Sequence, residues 1–559
     1  MKYIIYTFLI IIFFDYQNDE IDNYNSNIHA WWALDNLINK TPGVSWNKAT
    51  TYLAKKPKQQ IIVAVLDTDF DLEHKSLNKS VFWNNNEIPN NIDDDNNGFI
   101  DDLFGWNFLG IQNTDSALAY IPMEKTRILK SYSPNFVDSL YNDNVINFNY
   151  EDVASSYKKT VKGLEDQIQP YEILANDYTY VIDTLKEVFN VNKIKENTLK
   201  KFQTTDTLIN SYIRYVQDLY SQGYPYDKFI KTYNFKKNSL EICMNLDLDS
   251  RELVGDDLEN YNDSIYGNGT FGKNLNTLSH GTKITGIISS TIKSINSIPI
   301  KIDSPENKKK YPIQIMPITF TGVGDYLNKD LFMAIRYAVD NGAQIINLSQ
   351  SKSFSINEDK IDEALRYAAD HDVLVVMAAG NDNEDLDTRQ FFPNDTDTSG
   401  KEIIDNLIIV GSSTRHHDKR LKATDSNYGK SNVDVFAPGK DIPTLLPGNL
   451  YSTESGTSYA TPIVVNIAAL IRSYYPDLST AQVKKILMDS GTSYDVDIEI
   501  KNDEGDVVKT LPFSDLSKSG KIVNAYNALL MAEEVSRKGK QGAGHKKQDD
   551  RRSTKRREN

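Results

Sequence analysis

An α/β fold built on a mostly parallel central sheet is what this sequence predicts, and three observations carry the prediction. Short unbroken apolar runs such as Ile61-Ile62-Val63-Ala64-Val65-Leu66 have the length and composition of strands buried on both faces. Such runs alternate with stretches of helical periodicity, as parallel strands joined by crossover helices require. The first run ends at Asp67, at the carboxyl end of its strand, where open parallel sheets place ligands and chemistry.

The elements follow in order. Met1-Lys2 and the apolar stretch from Tyr3 to Phe14 have the form of an export signal, assigned to 1–18. The stretch is too short to span a bilayer, and Asp15-Tyr16-Gln17 gives no readable cleavage site. Residues 19–58, with Trp31, Trp32, Pro42 and Gly43, form an extension that wraps the main domain. That domain comprises 59–109 and 263–534. Strands are predicted at 61–66, 313–318, 344–349, 373–379 and 407–410, and helices at 330–340, 361–369 and 460–474, with 523–532 closing the domain. Between 110 and 262 the composition shifts to Tyr, Asn, Lys and Asp at helical spacing. Val153, Tyr157, Val161, Leu164 and Ile168 share one face; Tyr178, Val181, Ile182, Leu185 and Val188 a second; Leu208, Tyr212, Val216 and Leu219 a third. The stripes predict a helical insertion packed on itself. Residues 535–559, polar and rich in Lys and Arg, are expected to be a disordered tail.

Composition bounds the function. A chain of 559 residues is too long for one compact core. A formal charge of −15 argues against a nucleic-acid groove and suits an exported protein with no stable membrane span. The lone cysteine, Cys243, excludes an internal disulfide framework. Without Cys-x-x-Cys or His-Glu-x-x-His, a zinc hydrolase would lack ligands.

Three segments carry candidate chemistry. In Ser455-Gly456-Thr457-Ser458-Tyr459-Ala460-Thr461-Pro462-Ile463 a Gly leads into an apolar helical run with Pro462 in its first turn, where a missing N–H loses no partner. That presents the Ser458 hydroxyl at a helix N-terminus, where backbone N–H groups favour developing negative charge. Asp67 supplies a carboxylate at a strand end. The base is found by elimination among seven histidines. His416 and His417 lie in a charged loop, His545 in the basic tail and His29 ahead of the domain. His371 closes a polar helix end, and His74 shares a loop with Asp71 and Glu73. Only His280, in His280-Gly281-Thr282-Lys283-Ile284-Thr285-Gly286, opens a helix whose glycines permit close packing.

Through these segments the chain resembles the subtilisin-like serine proteases, and its Asp…His…Ser order is the subtilisin order. The family's Asp motif maps onto Val65-Leu66-Asp67-Thr68, its His motif onto His280-Gly281-Thr282 and its Ser motif onto Gly456 to Pro462. Ala378-Ala379-Gly380-Asn381 and Ala437-Pro438-Gly439 match two further motifs. The resemblance implies the subtilisin-like three-layer α/β fold and a serine endopeptidase acting on protein or peptide substrates. It further implies a catalytic set of Asp67, His280, Ser458 and Asn381, the last as oxyanion donor. Ser349, Gln350 and Ser351 correspond to the substrate-aligning strand, with Ala379 and Gly380 beside it. The chain departs from the family at Asp69, where Gly is usual and an extra charge is expected near Asp67. It departs again at Gln350 and Ser351 in place of an apolar residue and Gly, and at Lys283 in place of a common second His.

Asp93-Asp94-Asp95-Asn96-Asn97-Gly98-Phe99-Ile100-Asp101-Asp102 opens like an EF-hand loop, with oxygen ligands at alternate positions and Gly sixth. A structural Ca2+ held by Asp93, Asp95, Asn97, Phe99 and Asp101 is the expectation. Phe104 stands where the closing Glu would be, so the full motif is absent. Gly105-Trp106-Asn107 and Tyr266-Gly267-Asn268 resemble a bacterial subgroup of the family with such a loop and a long Asp-to-His insertion. Two function classes follow: an active endopeptidase, and a catalytically silent binding protein on the same scaffold.

Overall fold

The computed structural model describes residues 30–53, 59–77, 80–131, 150–248, 250–273, 277–296, 313–396, 401–502 and 504–555, so the expected export signal lies outside the described residues. The chain divides into two compact units: Met1–Ala117, Tyr261–Phe320 and Asn328–Asn559 form one, and Leu118–Asn260 with Thr321–Leu327 the other. The observed divisions fall at 117 and 260 where 110 and 262 were expected, and the short segment 321–327 joins the insertion.

The first unit carries the strands β1 (Ile61–Asp67), β2 (Trp106–Asn107), β3 (Ile313–Thr319), β4 (Ile345–Leu348), β5 (Leu374–Ala378), β6 (Leu407–Ser413) and β7 (Val435–Pro438). After them come β8 (Ile442–Leu446), β9 (Leu450–Glu454), β10 (Thr492–Ser493), β11 (Asp497–Lys501), β12 (Val507–Pro512) and β13 (Lys521–Ile522). Nine strands form one sheet in the order β10-β13-β7-β6-β5-β4-β1-β3-β2. Every pairing in it is parallel except β10 with β13. β8–β9 and β11–β12 are separate antiparallel hairpins that hydrophobic runs alone did not reveal.

β1 lies between β3 and β4, so the chain leaves it to one side and returns to the other. That makes the carboxyl end of β1 the topological switch point of the sheet, where a crevice opens. Val63, Val65, Ile345, Val376 and Val410 on one face join the core built round the helix Thr457–Tyr474. All residues of that helix are buried, which explains its apolar character on every side. The alternate residues Ala64, Leu66, Ile346, Leu348, Val375 and Met377 are equally buried on the other face, on the side of Asn328–Asp340 and Glu358–Asp370. Two buried faces account for strands without polar alternation.

The N-terminal extension is part of this core. Trp31, Trp32 and Trp46 are buried in it, Trp31 Nε1 donates to Lys440 O at 2.9 Å, and Ala525 N donates to Val44 O at 2.8 Å. Of the tail expected to be disordered, 535–555 continues the helix Ala525–Lys555, and 556–559 lie outside the described residues. Its first turns bury Ala525, Ala528, Leu529 and Ala532. Ser536 and Lys540 then bond to Asp477, and Lys538 pairs with Glu534 one turn earlier. Among the described residues no helix is long and apolar enough to cross a membrane.

The second unit is helical, with Tyr150–Phe189, Thr207–Ser221 and Tyr226–Asn238 round a core of Tyr178, Val181, Ile182, Leu185, Ile213, Val216 and Phe229. Two stripes need correction. Val188 is exposed, as is Leu208, and the Thr207–Ser221 helix turns Ile209 and Ile213 inward with Val216 and Leu219. The helix begins at an Asp206 cap, and its buried face takes Ile209 and Ile213 in place of Leu208 and Tyr212 while keeping Val216 and Leu219.

Candidate active site

Asp67 ends β1 fully buried. Its Oδ1 accepts from Thr68 N at 2.7 Å and lies 2.6 Å from His280 Nδ1, near the start of the helix Leu278–Asn296. Because a carboxylate only accepts, the imidazole carries its proton on Nδ1, which leaves Nε2 as the basic nitrogen. The His280 side chain is 28% exposed, so its free edge is open to a reactant. Asp67 Oδ2 is buried with no hydrogen-bond partner among the described residues.

Close approach at this point depends on Gly281. A Cβ there would sit 2.7 Å from Thr68 O and 2.8 Å from Asp69 O. Asp69 itself is buried, and its Oδ1 accepts from Phe70 N at 2.7 Å and Gly272 N at 2.9 Å. The charge expected beside Asp67 is thus engaged in capping two backbone amides of the loop.

Ser458 is the second residue of the helix Thr457–Tyr474, entered through Gly456 at φ 142°, a conformation that L side chains rarely adopt. The Ser458 hydroxyl donates to Ser349 O at 3.0 Å, and Ser349 Oγ donates to Ser458 O at 2.9 Å, so the turn carrying Ser458 is bonded to the chain just past β4. The His280 ring lies 5.9 Å from that of Tyr459, centroid to centroid. Asn381, just past β5, is exposed. Its Oδ1 accepts from Thr457 N at 2.8 Å and Thr457 Oγ1 at 3.1 Å, which assigns the amide orientation and leaves Nδ2 as a donor. The bonding of Thr457 to Asn381 was not foreseen, although Thr457 sits inside the matched motif.

The expected substrate strand follows β4. Gln350 Nε2 is 3.4 Å from His280 Nδ1, whose proton is already given to Asp67, so the contact is packing. Across from it, Ala379 N donates to Val410 O, Ala379 O accepts from Asn427 Nδ2 and Gly380 N donates to Thr457 Oγ1. These Ala379 and Gly380 groups are already taken. Ser351 Oγ would lie 3.2 Å from a Cβ on Gly380, so the two segments meet there.

Beyond Asn381, Lys422 is buried and its Nζ donates to Asn383 Oδ1 at 2.8 Å and Ala423 O at 3.0 Å. Burial pushes its amine down to about 7, against the pull of Asp425. Between that value and the ordinary 10.5 the unfolded chain binds more protons here than the folded one, so this group adds stability as pH rises. In melting curves, wild type should gain on Lys422→Met from pH 7 to pH 10. Curves that stay parallel would reject the assignment.

The acidic loop gathers a different set from the one expected. Glu87, Asp95 and Asp102 each bring an oxygen within 4.8 Å of the others. Asp93 is occupied by Asn97 N and Gly98 N, Asp101 by Asn90 N and Asn91 N, and Asn97 Oδ1 by Phe99 N. Phe99 packs its ring against Trp106 and Tyr337. Short polar side chains in tight loops bond to nearby backbone amides, and the clustered carboxylates do so as well, Asp95 accepting from Asn97 N and Glu87 from Asp94 N, Asp95 N and Asp101 N. Burial pushes the Asp102 carboxyl up to about 6, countered by hydrogen bonds from Tyr337 (2.6 Å), Asn84 and Asn97. Neither Glu87 nor Asp102 falls on the alternating positions of the motif.

Comparison with known proteins identifies the family. The sequence profile of the Subtilase family, peptidase S8, matches residues 58–506. The chain is 31% identical over 224 residues to the cell wall-associated protease of Bacillus subtilis (strain 168), covering 40% of this chain and 22% of that protein. It is 34% identical over 194 residues to the thermophilic serine proteinase of Bacillus sp. (strain AK1), covering 35% and 42%. With subtilisin BL of Lederbergia lenta the identity is 27% over 215 residues, covering 38% and 70%. The chain thus spans less than half the length of the first two. Since the family profile extends over most of the sequence and takes in Asp67, His280, Asn381 and Ser458, the chain belongs to the subtilase family.

Proposed function

We propose that this subtilase is a serine endopeptidase hydrolysing peptide bonds in protein or peptide substrates. The observation that carries the reading is the 2.6 Å contact between His280 Nδ1 and buried Asp67, on the sheet whose β4 end also bonds Ser458. A serine hydroxyl is a weak nucleophile at neutral pH and needs a base. In the reading, Ser458 Oγ turns from Ser349 O to a substrate carbonyl carbon as its proton passes to His280 Nε2. Asp67 holds the tautomer and stabilises the imidazolium. The carbonyl π pair moves onto oxygen, where Asn381 Nδ2 and the Ser458 N–H meet the charge. Collapse expels the amine with the proton from His280, leaving an acyl-enzyme. Water then repeats the sequence, restores the serine and releases the carboxylate. An extended peptide lying along 349–351 needs only backbone pairing there.

A fluorophosphonate probe tests the reading against the silent-scaffold alternative. It should label wild type at Ser458 and leave Ser458→Ala unlabelled; an unlabelled wild type would sink the protease assignment.

We also propose that Ca2+ binds at Glu87, Asp95 and Asp102. Three carboxylates suit a hard cation that prefers oxygen ligands. Bound only by the folded state, the ion would add about 2.7 kcal/mol at a hundredfold excess over Kd. Chelation should lower the melting temperature of wild type and leave Glu87→Gln/Asp102→Asn unmoved. Coincident wild-type melts in chelator and in millimolar calcium would dismiss the site. Export is proposed as the setting, on the apolar stretch after Lys2.

A further inference from the structure

Lys283 stands three residues beyond His280 on the same helix, and Glu454 four residues ahead of Ser458, at the end of β9. Lys283 Nζ and Glu454 Oε1 are 2.8 Å apart, and their side chains are only 8% and 15% exposed. An ion pair so far out of water is costly to form and costlier to break, because removing one partner strands the other charge. The helix and the hairpin are also joined by uncharged contacts. Thr444 Oγ1 donates to the carbonyl of Lys283, and a Cβ on Gly286 would lie 2.5 Å from Thr444 Oγ1 and 2.8 Å from Leu445 N. Beyond Glu454, Ser455 Oγ accepts from Asp441 N and Gly456 N donates to Gly439 O, so the chain is tied down until it turns into Ser458.

We propose that Lys283 and Glu454 are a positioning pair that fixes the His280 helix to the segment delivering Ser458 and balances the charge seen by the imidazole. The inference rests on the protease reading. Among the described residues, the titratable groups on the segments that meet at the start of the His280 helix include Asp67 on β1, Asp69 and Asp71 in the loop after it, Tyr459 on the serine helix, Lys283 on its own helix and Glu454 on β9. Residues three apart on a helix are neighbours, so Lys283 is the cation closest in sequence to the base. While paired with Glu454 it contributes little net field.

Breaking the pair from either side should therefore move the acidic limb of kcat/KM in opposite directions. Glu454→Gln leaves the ammonium unpaired, disfavours the imidazolium and moves the limb to lower pH by roughly one unit. Lys283→Met leaves the carboxylate and moves it up by about as much. The double variant Lys283→Met/Glu454→Gln should return the limb to its wild-type position, with kcat about tenfold down from loosened alignment and KM little changed. Lys283→Arg keeps charge and pairing, and should keep both limb and rate. A pair that served only packing would lower stability without any opposed shift.

The experiment is the pH profile of peptide hydrolysis for wild type and these variants, with the His280 ring proton titrated by NMR in the Ser458→Ala background. Opposed shifts in profile or titration support the proposal; coincident midpoints across all the variants overturn it. If Lys283→Met does not fold, Glu454→Gln against Lys283→Arg decides by the same criterion. A wild type without Ser458-dependent hydrolysis sinks the protease reading alone, since the NMR midpoints still report the charge balance.

Discussion

Ser458→Ala is expected to lower kcat by about six orders of magnitude and to leave the melting temperature close to that of wild type; the magnitude is borrowed from subtilisin, a member of the same family. The substitution removes one oxygen whose partner in this structure is Ser349 O, and takes nothing from core volume. His280→Ala should lose about as much, because a hydroxyl without its base is no better than no hydroxyl. The His280 side chain is 28% exposed, so truncating it opens no closed cavity. The double variant should be no worse than either single one. Steady-state hydrolysis of a fluorogenic peptide by the purified proteins checks all three. If the double variant showed the product of the two separate losses, the residues would not be acting as one unit.

Asn381→Ala should cost about 100- to 1,000-fold in kcat with KM little altered, a range also taken over from subtilisin. A donor aimed at the oxyanion acts on charge absent from the bound substrate, so it is felt in turnover before affinity. Asn381 has a second task, since its Oδ1 accepts from Thr457 N at the start of the serine helix. Asn381→Asp separates the two. It keeps an acceptor for Thr457 and loses the amide donor, so it should melt like wild type and turn over no better than Asn381→Ala. Rising KM with unchanged kcat in both variants would remove Asn381 from the transition state and make it a substrate contact.

Much of the fold was legible because its signals are local. β1, β3, β4, β5 and β6 are short apolar runs, and the predicted positions differ from the observed ones by at most three residues at either end. The helices at 328–340, 358–370 and 457–474 begin two or three residues earlier than predicted, with first residues such as Asn328, Lys329, Glu358 and Asp359 that are polar and show no apolar periodicity. Asp67, His280 and Ser458 were found in segments whose local geometry already suggested chemistry: a strand end, a glycine-framed helix start and a glycine-led helix entry.

What stayed hidden depended on which distant groups meet. Asp69 carried the same charge in the sequence whether it faced Asp67 or capped Phe70 and Gly272; only the fold chose the cap. Alternating oxygens at 93 to 101 predicted one ligand set; in the fold Asp95 lies with Glu87 and Asp102, and the carboxylates of both sets accept from donors of the loop. The Lys283–Glu454 pair joins positions far apart in the chain, and neither residue has a local signature. Local sequence carries the strand and helix periodicities, the chain order of Asp67, His280 and Ser458, and the glycines beside them. Tertiary structure alone decided how the remaining charges pair. Periodicity is a property of neighbours along the chain, whereas the partner of a buried charge is settled by which surfaces packing brings together.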